Sequence, residues 1–541
     1  MERGALPSVG IPEVVVEHPV NTAHGDYASN LALRLARAAQ MSPLEIAGHI
    51  AESVGESEEV ESASAAPPGF VNLTVRKAWL QAQVETIRAE GEHFADVEYG
   101  GGAKVQVEFV SVNPTGPVHI GHGRGAVLGS TLADVLEAAG YTVEREYYVN
   151  DAGNQMQNFY RSLYARAAQS LKLDVDVPDD GYQGAYVADA AKEILAEAQD
   201  RKALEMLIAD KPDEATEQFA VRGRQKMLDL IRTDLDALGV RFDVWFSEQS
   251  LFDSGQYDAT MERLRESGYL AQREGATWFT STSLGADKDN VLVRSSGSPT
   301  YFASDIAYHY NKFVDRGFDR VIDIWGADHQ GHVPRMEAAV SALGIDPERL
   351  TVLVSQLVTL RRGDQVVRIS KRTGDMITLR EVIEEVGADV CRFFLLSRSA
   401  NSQMDFELEL AKDQSEDNPV FYVQYAHARI ASILRLAGEQ GIDYSEGNVG
   451  LLSHEAELML IRKMLQLPEL VELVAMTLEP HHLPHYAQEL ATAFHAFYKQ
   501  CRVVDLDKKD LTAARLKLAD AARIALARTL QLMGMSAPDR M

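Results

Sequence analysis

The stretch VNPTGPVHIGHGRGAVLGSTLADVLEAAG, Val112 to Gly140, places His119 and His122 on either side of Ile120 and Gly121. Pro114, Thr115, Gly116, Pro117 and Val118 make the approach to this pair an irregular loop, and a long apolar-rich helical pattern follows it. Glycine lets a backbone approach a ligand closely. A helix N-terminus attracts anions through its exposed N–H groups and its dipole. Histidines add donors and charge. The combination points to a bound phosphate. The residues just before it, AKVQVEFVS (103–111), alternate like a strand, and TVEREYYVN (142–150) reads as another. Strand, glycine loop, helix and strand make a βαβ unit, and hence a parallel sheet with a right-handed crossover.

Working outward, the chain divides into segments. Residues 1–95 hold two helix candidates, DYASNLALRLARAAQ with Asp26 as cap and SPLEIAGHIAESV with Ser42 as cap and Pro43 at the first helical position. A strand-like FVNLTV (70–75) completes a small α+β domain. Residues 96–380 form the parallel-sheet domain, interrupted over about 151–275 by a helical, acidic insertion. Strand signals return in ATWFTST, NVLVRS, RVIDIWG and LTVLVSQLVTL. A linking segment covers 381–412, and 413–541 reads as an all-α helix bundle. With 541 residues, roughly two to four domains are expected.

Composition narrows the class. The chain is 46% apolar and 25% charged. It has no apolar run of the roughly 18 residues a membrane span needs, and its first residues lack a signal-peptide pattern. With only Cys391 and Cys501, a disulfide framework and a Cys-rich zinc site are excluded, which fits a reducing cytoplasm. The net charge of −27 argues against a nucleic-acid partner overall, yet charge acts locally. From Cys501 to Met541 eight Lys/Arg face five Asp/Glu, a net of +3, and Arg361, Arg362, Arg368, Lys371 and Arg372 crowd around LRRGDQVVRISKR.

Two further stretches carry chemistry. WGADHQGH (325–332) follows the strand RVIDI, at the strand end where α/β sheets bind ligands. Metal binding by Asp328, His329 and His332 is an alternative there, with no fourth ligand in view. RISKR (368–372) reads alone as a basic surface loop.

HIGH, then GADH at a strand end, then RISKR, in this order, resembles the class I aminoacyl-tRNA synthetases. More narrowly, HGDYASNLALRLA, EFVSVNPTGPVHIGH, YFASDIAYHY, NPVFYVQYAHARI and LQLMGMSAPDRM are similar to segments of the arginyl-tRNA synthetases. The signature loop departs from the family pattern, with Arg368 at its first lysine and Arg372 at its last serine.

The resemblance implies a multidomain α/β protein: an N-terminal tRNA-binding domain, a Rossmann-type catalytic domain and an anticodon-binding bundle. It implies activation of L-arginine by ATP with Mg2+, and transfer to tRNA(Arg), by a cytoplasmic monomer without a structural metal. His119, His122 and Lys371 would be catalytic. Gly121, Gly326, Asp328, His329, Ser370 and Lys371 would bind ATP. Asp305 and Tyr301 would take the guanidinium, while Glu108, Ser111, Asn113, His119 and Gln330 would hold the α-amino end or line the pocket. Val112 to His122 would form the HIGH region. Phe70 and Asn72 would meet the tRNA D-loop, and Tyr422, Tyr425, Phe497 and Tyr498 the anticodon.

Three rival readings are open to the same residues. A nucleotidyltransferase of the HxGH type is usually one small domain. A non-catalytic tRNA-binding paralogue would be expected to lose HIGH or Lys371. Among other class I synthetases, the cysteine enzyme would need zinc-binding cysteines, which two Cys cannot supply, and the glutamate and glutamine enzymes a basic pocket where Glu108 and Asp305 stand.

Overall fold

The computed structural model describes residues 6–19, 21–55, 57–367, 377–415 and 417–541. Its centre is a five-stranded parallel sheet built from β1 (Lys104–Glu108), β2 (Thr142–Val149), β3 (Val244–Ser247), β4 (Arg320–Gly326) and β5 (Leu350–Ser355), in the order β5-β4-β1-β2-β3. Val105, Val107, Val321 and Ile322 are wholly buried, as a sheet covered on both faces requires. From β1 the chain builds outward through β2 and β3, then returns to the other side for β4 and β5. The order reverses between β1 and β4, the place where open α/β sheets bind ligands.

The register sets up the site. Asp323 of β4 lies beside Glu108 of β1, and Glu108 beside Glu146 of β2. Three carboxylates therefore stand abreast near the carboxyl ends of adjacent strands.

The helical insertion read over 151–275 also holds a strand of the main sheet. The helices Asn154–Ser170, Ala185–Glu197, Arg201–Asp210 and Pro212–Ala237 form a satellite core around Phe159, Leu163, Ile194 and Phe219. The chain then returns to the main sheet as β3, four half-buried residues too short to show a period. Beyond it, Leu270–Arg273, Ala276–Phe279 and Asn290–Val293 make a separate antiparallel sheet. Segment 381–412 is more than a link: it carries the helix Ala388–Leu396 and the strand Met404–Glu407, which pairs in parallel with Val358–Arg362.

In the N-terminal domain two helices cover a three-stranded sheet with Phe70–Val75 at its centre. Asp26 does not cap a helix as expected. The helix starts at Leu31, and Asp26 instead accepts from the Val75 amide at 2.7 Å and from Arg462 at 2.5 Å. Pro43 does open the second helix, but the Ser42 side chain makes no capping bond.

Residues from Pro419 onward form the expected helices, including Pro419–Glu439, Glu455–Met464, His482–Gln500 and Lys509–Leu532. They are fastened to the catalytic domain by Arg392, whose side chain is buried. Its guanidinium donates to the Met533 carbonyl at 2.6 Å, the Leu238 carbonyl at 3.1 Å and the Ser130 hydroxyl at 2.8 Å.

Candidate active site

The site is the crevice between the ends of β1 and β4. After β1 the backbone makes a strained turn: Val110 and Ser111 have φ of 70° and 42°. A β-branched residue at positive φ is an outlier and persists only where its surroundings demand it. The turn aims the Ser111 hydroxyl back to donate to Glu108 at 2.8 Å, while it accepts from the Tyr148 amide at 3.1 Å. Ser111 is thereby a holder of Glu108. Asn113 donates to Gln155. The Tyr147 hydroxyl holds the Val112 carbonyl at 2.7 Å, and the Tyr186 hydroxyl holds the Thr115 carbonyl at 2.8 Å. A Cβ on Gly116 would meet that Tyr186 hydroxyl at 2.9 Å, so a larger residue there would push the Tyr186 ring off the Thr115 carbonyl.

His119 is then the N-cap of α1 (Ile120–Ala138), and the rings of His119 and His122 stack 3.5 Å apart. The helix is nearly all buried, and Arg124 locks it by donating to the carbonyls of Gln356, Ser399 and Ser402 at 2.7–2.8 Å. His119 pairs with Thr378 in an isolated antiparallel bridge, and the Leu379 amide donates to the Val118 carbonyl at 2.8 Å. The chain leaving RISKR is thus anchored beside HIGH. Arg368, Ser370, Lys371 and Arg372 themselves lie outside the described residues.

The floor of the crevice is acidic. Helix α2 (Tyr301–Tyr310) places Asp305 and, one turn earlier, the half-exposed Tyr301 along it. The Asp305 carboxylate makes no hydrogen bond to a described residue. Burial and the nearby Glu108 carboxylate push it up to about 6. Sequence reasoning missed a partner, Glu248, just past β3 and 3% exposed. Burial, with Asp305 and Asp151 close by, pushes its carboxyl up to about 7. Between these groups sits the Tyr148 hydroxyl, buried and without a hydrogen bond of good geometry, in the field of Glu248, Asp305 and Glu108. Lys312 lies 2.6 Å from Glu108, and Arg335 and His309 act on Asp305, but Glu248 has no cation among its close partners, and the crowded carboxylates suit a cationic guest with several donors.

The GADH segment follows β4 as a short 3-10 turn, Ala327–His332. A Cβ on Gly326 would sit 2.6 Å from the Asp328 carboxylate. Asp328, His329 and Gln330 are exposed at the crevice mouth. The metal alternative fails on geometry. Among the described residues, three or more His, Cys, Asp or Glu donor atoms converge only at Glu479, His481 and His482, in the helical domain.

Far from this crevice, Phe497 is wholly buried beside Phe494, so it packs the bundle and cannot stack on a base. Its neighbour Tyr498 is 40% exposed. With Tyr425 it brackets Arg429, whose guanidinium lies 4.7 Å from one ring centre and 5.0 Å from the other. A groove of about 520 Å³ beside them adds Arg435 and Arg540. Tyr422 is half-buried and shares a hydroxyl contact with Thr492 at 3.2 Å. Asn72, on the central strand of the N-terminal sheet, is 8% exposed, whereas Phe70 is more open. The arginines of the groove were missed because their helical spacing resembles an ordinary solvated face.

The chain matches the models of three domain families: the arginyl tRNA synthetase N-terminal domain over residues 4–75, the class I (R) tRNA synthetase catalytic domain over 83–411, and the DALR anticodon-binding domain over 423–541. It is 58% identical to an arginine–tRNA ligase of Dehalococcoides mccartyi over 540 residues, covering 100% of this chain and 96% of that one. It is 50% identical to one of Heliobacterium modesticaldum, covering 98% and 94%. The fold superposes on the arginyl-tRNA synthetase of Thermus thermophilus with a TM-score of 0.78 at 23% identity, covering 98% and 96% of the two chains.

Proposed function

The chain belongs to the arginyl-tRNA synthetases, class I enzymes that activate arginine with ATP and charge tRNA, and from that premise we propose which of its residues do so. The arginine carboxylate attacks the α-phosphorus of ATP, and the bond to pyrophosphate breaks. The 3′-terminal ribose of tRNA(Arg) then takes the arginyl group from the adenylate. Neither step needs a covalent enzyme intermediate, so positioning and charge stabilisation supply the rate.

His119 and His122, at the N-terminus of α1, face the phosphates, and the helix dipole adds to their donors. Gly121 has its nearest side-chain neighbour in the His119 ring, 3.1 Å from a Cβ built on it, so a larger residue would crowd that imidazole. Gly326, Asp328 and His329 take the adenosine side, and the family pattern gives Lys371 and Ser370 to the leaving phosphates. ATP arrives as its Mg2+ complex.

The guanidinium enters the acidic floor, met by Asp305, Glu248 and Glu108 with Tyr301 at its edge. This moves Glu108 from the α-amino end, because it shares the surroundings of the Tyr148 hydroxyl with Asp305 and Glu248. Asn113 and Gln330 remain for the α-amino end. The observation that carries the reading is this group of three carboxylates, Glu108 and Glu248 buried and Asp305 partly so, around the buried Tyr148 phenol. Uncharged analogues would leave them unneutralised, a penalty large enough to make editing unnecessary.

Tyr425, Tyr498, Arg429, Arg435 and Arg540 form the surface for unstacked anticodon bases, by stacking and cation–π contact. Phe70 serves the tRNA from the other end. The enzyme works as a cytoplasmic monomer; both cysteines are free and buried. ATP–pyrophosphate exchange with each amino acid, with and without tRNA, tests the assignment. Exchange supported by lysine or citrulline as well as by arginine would overturn the acidic-floor reading.

A further inference from the structure

Beneath the substrate floor lies an ionic assembly that the reaction as described does not use. After α2 the helix continues as a π turn, Asn311–Asp315, a form that recurs at functional sites. It carries Lys312, wholly buried, onto the face already bearing Asp305, Tyr308 and His309. The ammonium lies 2.6 Å from Glu108, 2.8 Å from Asp323 and 4.2 Å from the centre of the Tyr308 ring. His309 bridges the other Asp323 oxygen, at 2.9 Å, to the Asp305 carbonyl, at 2.8 Å. The third carboxylate of the row, Glu146, is answered separately by Arg316, the Tyr308 hydroxyl and Gln106.

A buried ion pair is weak support for stability, because desolvation cancels most of its attraction. An apolar residue would serve a packing role as well. What Lys312 supplies that no apolar residue could is a fixed charge shared between Glu108 and Asp323. Glu108 and Asp323 share this one ammonium, the His309 ring takes the far oxygen of Asp323, and Glu108 is the member bordering the pocket. We propose that Lys312 is a positioning residue for arginine selection, holding Glu108 ionised and oriented toward the incoming guanidinium with Asp323 as its second anchor. This rests on the reading of Glu108 as a recognition carboxylate. The groups facing Glu108 are Lys312 and Asp323, the Ser111 hydroxyl, Asp305 on α2, and the phenols of Tyr148 and Tyr308. Burial drives its carboxyl up, Lys312 opposes that, and Asp323 adds to it.

Two substitutions should therefore act with opposite sign. Lys312→Met keeps the stem and removes the charge. It should raise the arginine KM about ten-fold at neutral pH, leave the ATP KM within about two-fold, and move the acid limb of arginine KM to higher pH. The isosteric Asp323→Asn leaves Lys312 to Glu108 alone, and should move that limb to lower pH. A merely structural lysine would lower the melting temperature and shift neither limb. If Lys312→Met does not fold, Asp323→Asn decides: an unmoved or upward limb overturns the proposal. Glu108→Gln separates the two levels. If it leaves arginine KM unchanged, the reading of Glu108 fails. If it raises arginine KM while neither Lys312→Met nor Asp323→Asn moves the limb, only the role of Lys312 fails.

Discussion

Arginine binding should release protons from the raised carboxyls of the pocket, and Asp305 and Glu248 are the two whose share can be worked out. Asp305 has its midpoint at about 6 and Glu248 at about 7 in the empty site. Both groups are raised, so each keeps its proton to a higher pH than an exposed carboxyl does, and a bound guanidinium favours each as an anion. At pH 6 Asp305 is about half protonated and Glu248 about nine-tenths, so binding expels about 1.4 protons. At pH 8 the same sum falls to about 0.1. If both must ionise, arginine affinity weakens on the order of a hundred-fold from pH 8 to pH 5.5. The sign is fixed: lower pH favours the free protein. Isothermal titration of arginine in buffers of different ionisation enthalpy measures the release directly. Glu248→Gln should cut it at pH 6 to about 0.5 and shrink the affinity change to about four-fold. Equal arginine affinity at pH 5.5 and pH 8, with no buffer-dependent heat, would refute the placement of the guanidinium between these groups.

Asp305→Asn should raise the arginine KM steeply, by the roughly 3–5 kcal/mol typical of a broken buried charge pair, while ATP binding survives; steady-state kinetics in each substrate checks it. Lys371→Ala should lower kcat more than it raises either KM, because a contact to the leaving phosphates strengthens in the transition state; single-turnover adenylate formation reads this out. Pyrophosphate exchange should be near zero without tRNA, appear when tRNA is added and weaken with rising salt as phosphate contacts are lost; equal exchange with and without tRNA excludes the coupling. Tyr498→Ala combined with Arg429→Ala should weaken tRNA binding in a filter assay and leave arginine titration unchanged. Gly129→Ala would put a Cβ 2.2 Å from the Phe109 ring and should cost about 1–3 kcal/mol, seen as a lower melting temperature.

The sheet and the HIGH helix were legible because their signals are local. The alternation of 103–111 and the glycines before α1 depend on nothing distant. Asp305 came forward on the resemblance of YFASDIAYHY to the arginyl-tRNA synthetases, since spacing alone reads only a carboxylate near Tyr301. Glu248 was not legible, because four residues of β3 between long helices carry no period. Lys312 looked like any lysine on an amphipathic helix. Its burial follows from a register that joins Glu108 to Asp323, strands more than two hundred residues apart, which no window of sequence contains. A faint signal existed: Asp305, Tyr308, His309 and Lys312 fall on one helical face that should otherwise be apolar. Phe497 and Tyr498 show the reverse error, since adjacent aromatics on a helix point in different directions and only packing tells which is inside.

The Arg392 clamp bears on how the enzyme is made. Its strongest acceptor, the Met533 carbonyl, is synthesised 141 residues after it. Domains emerging from a ribosome tend to fold in order, N-terminal first. Here the catalytic domain emerges with a guanidinium at the back of helix α1 whose main partner does not yet exist. Through that interval Arg392 has its Leu238 and Ser130 acceptors but neither Met533 nor the cover of the helical domain, which supplies both by arriving. Charging competence would then appear late and abruptly, and a catalytic domain cut off before Met533 would be an incomplete solid, wanting its keystone.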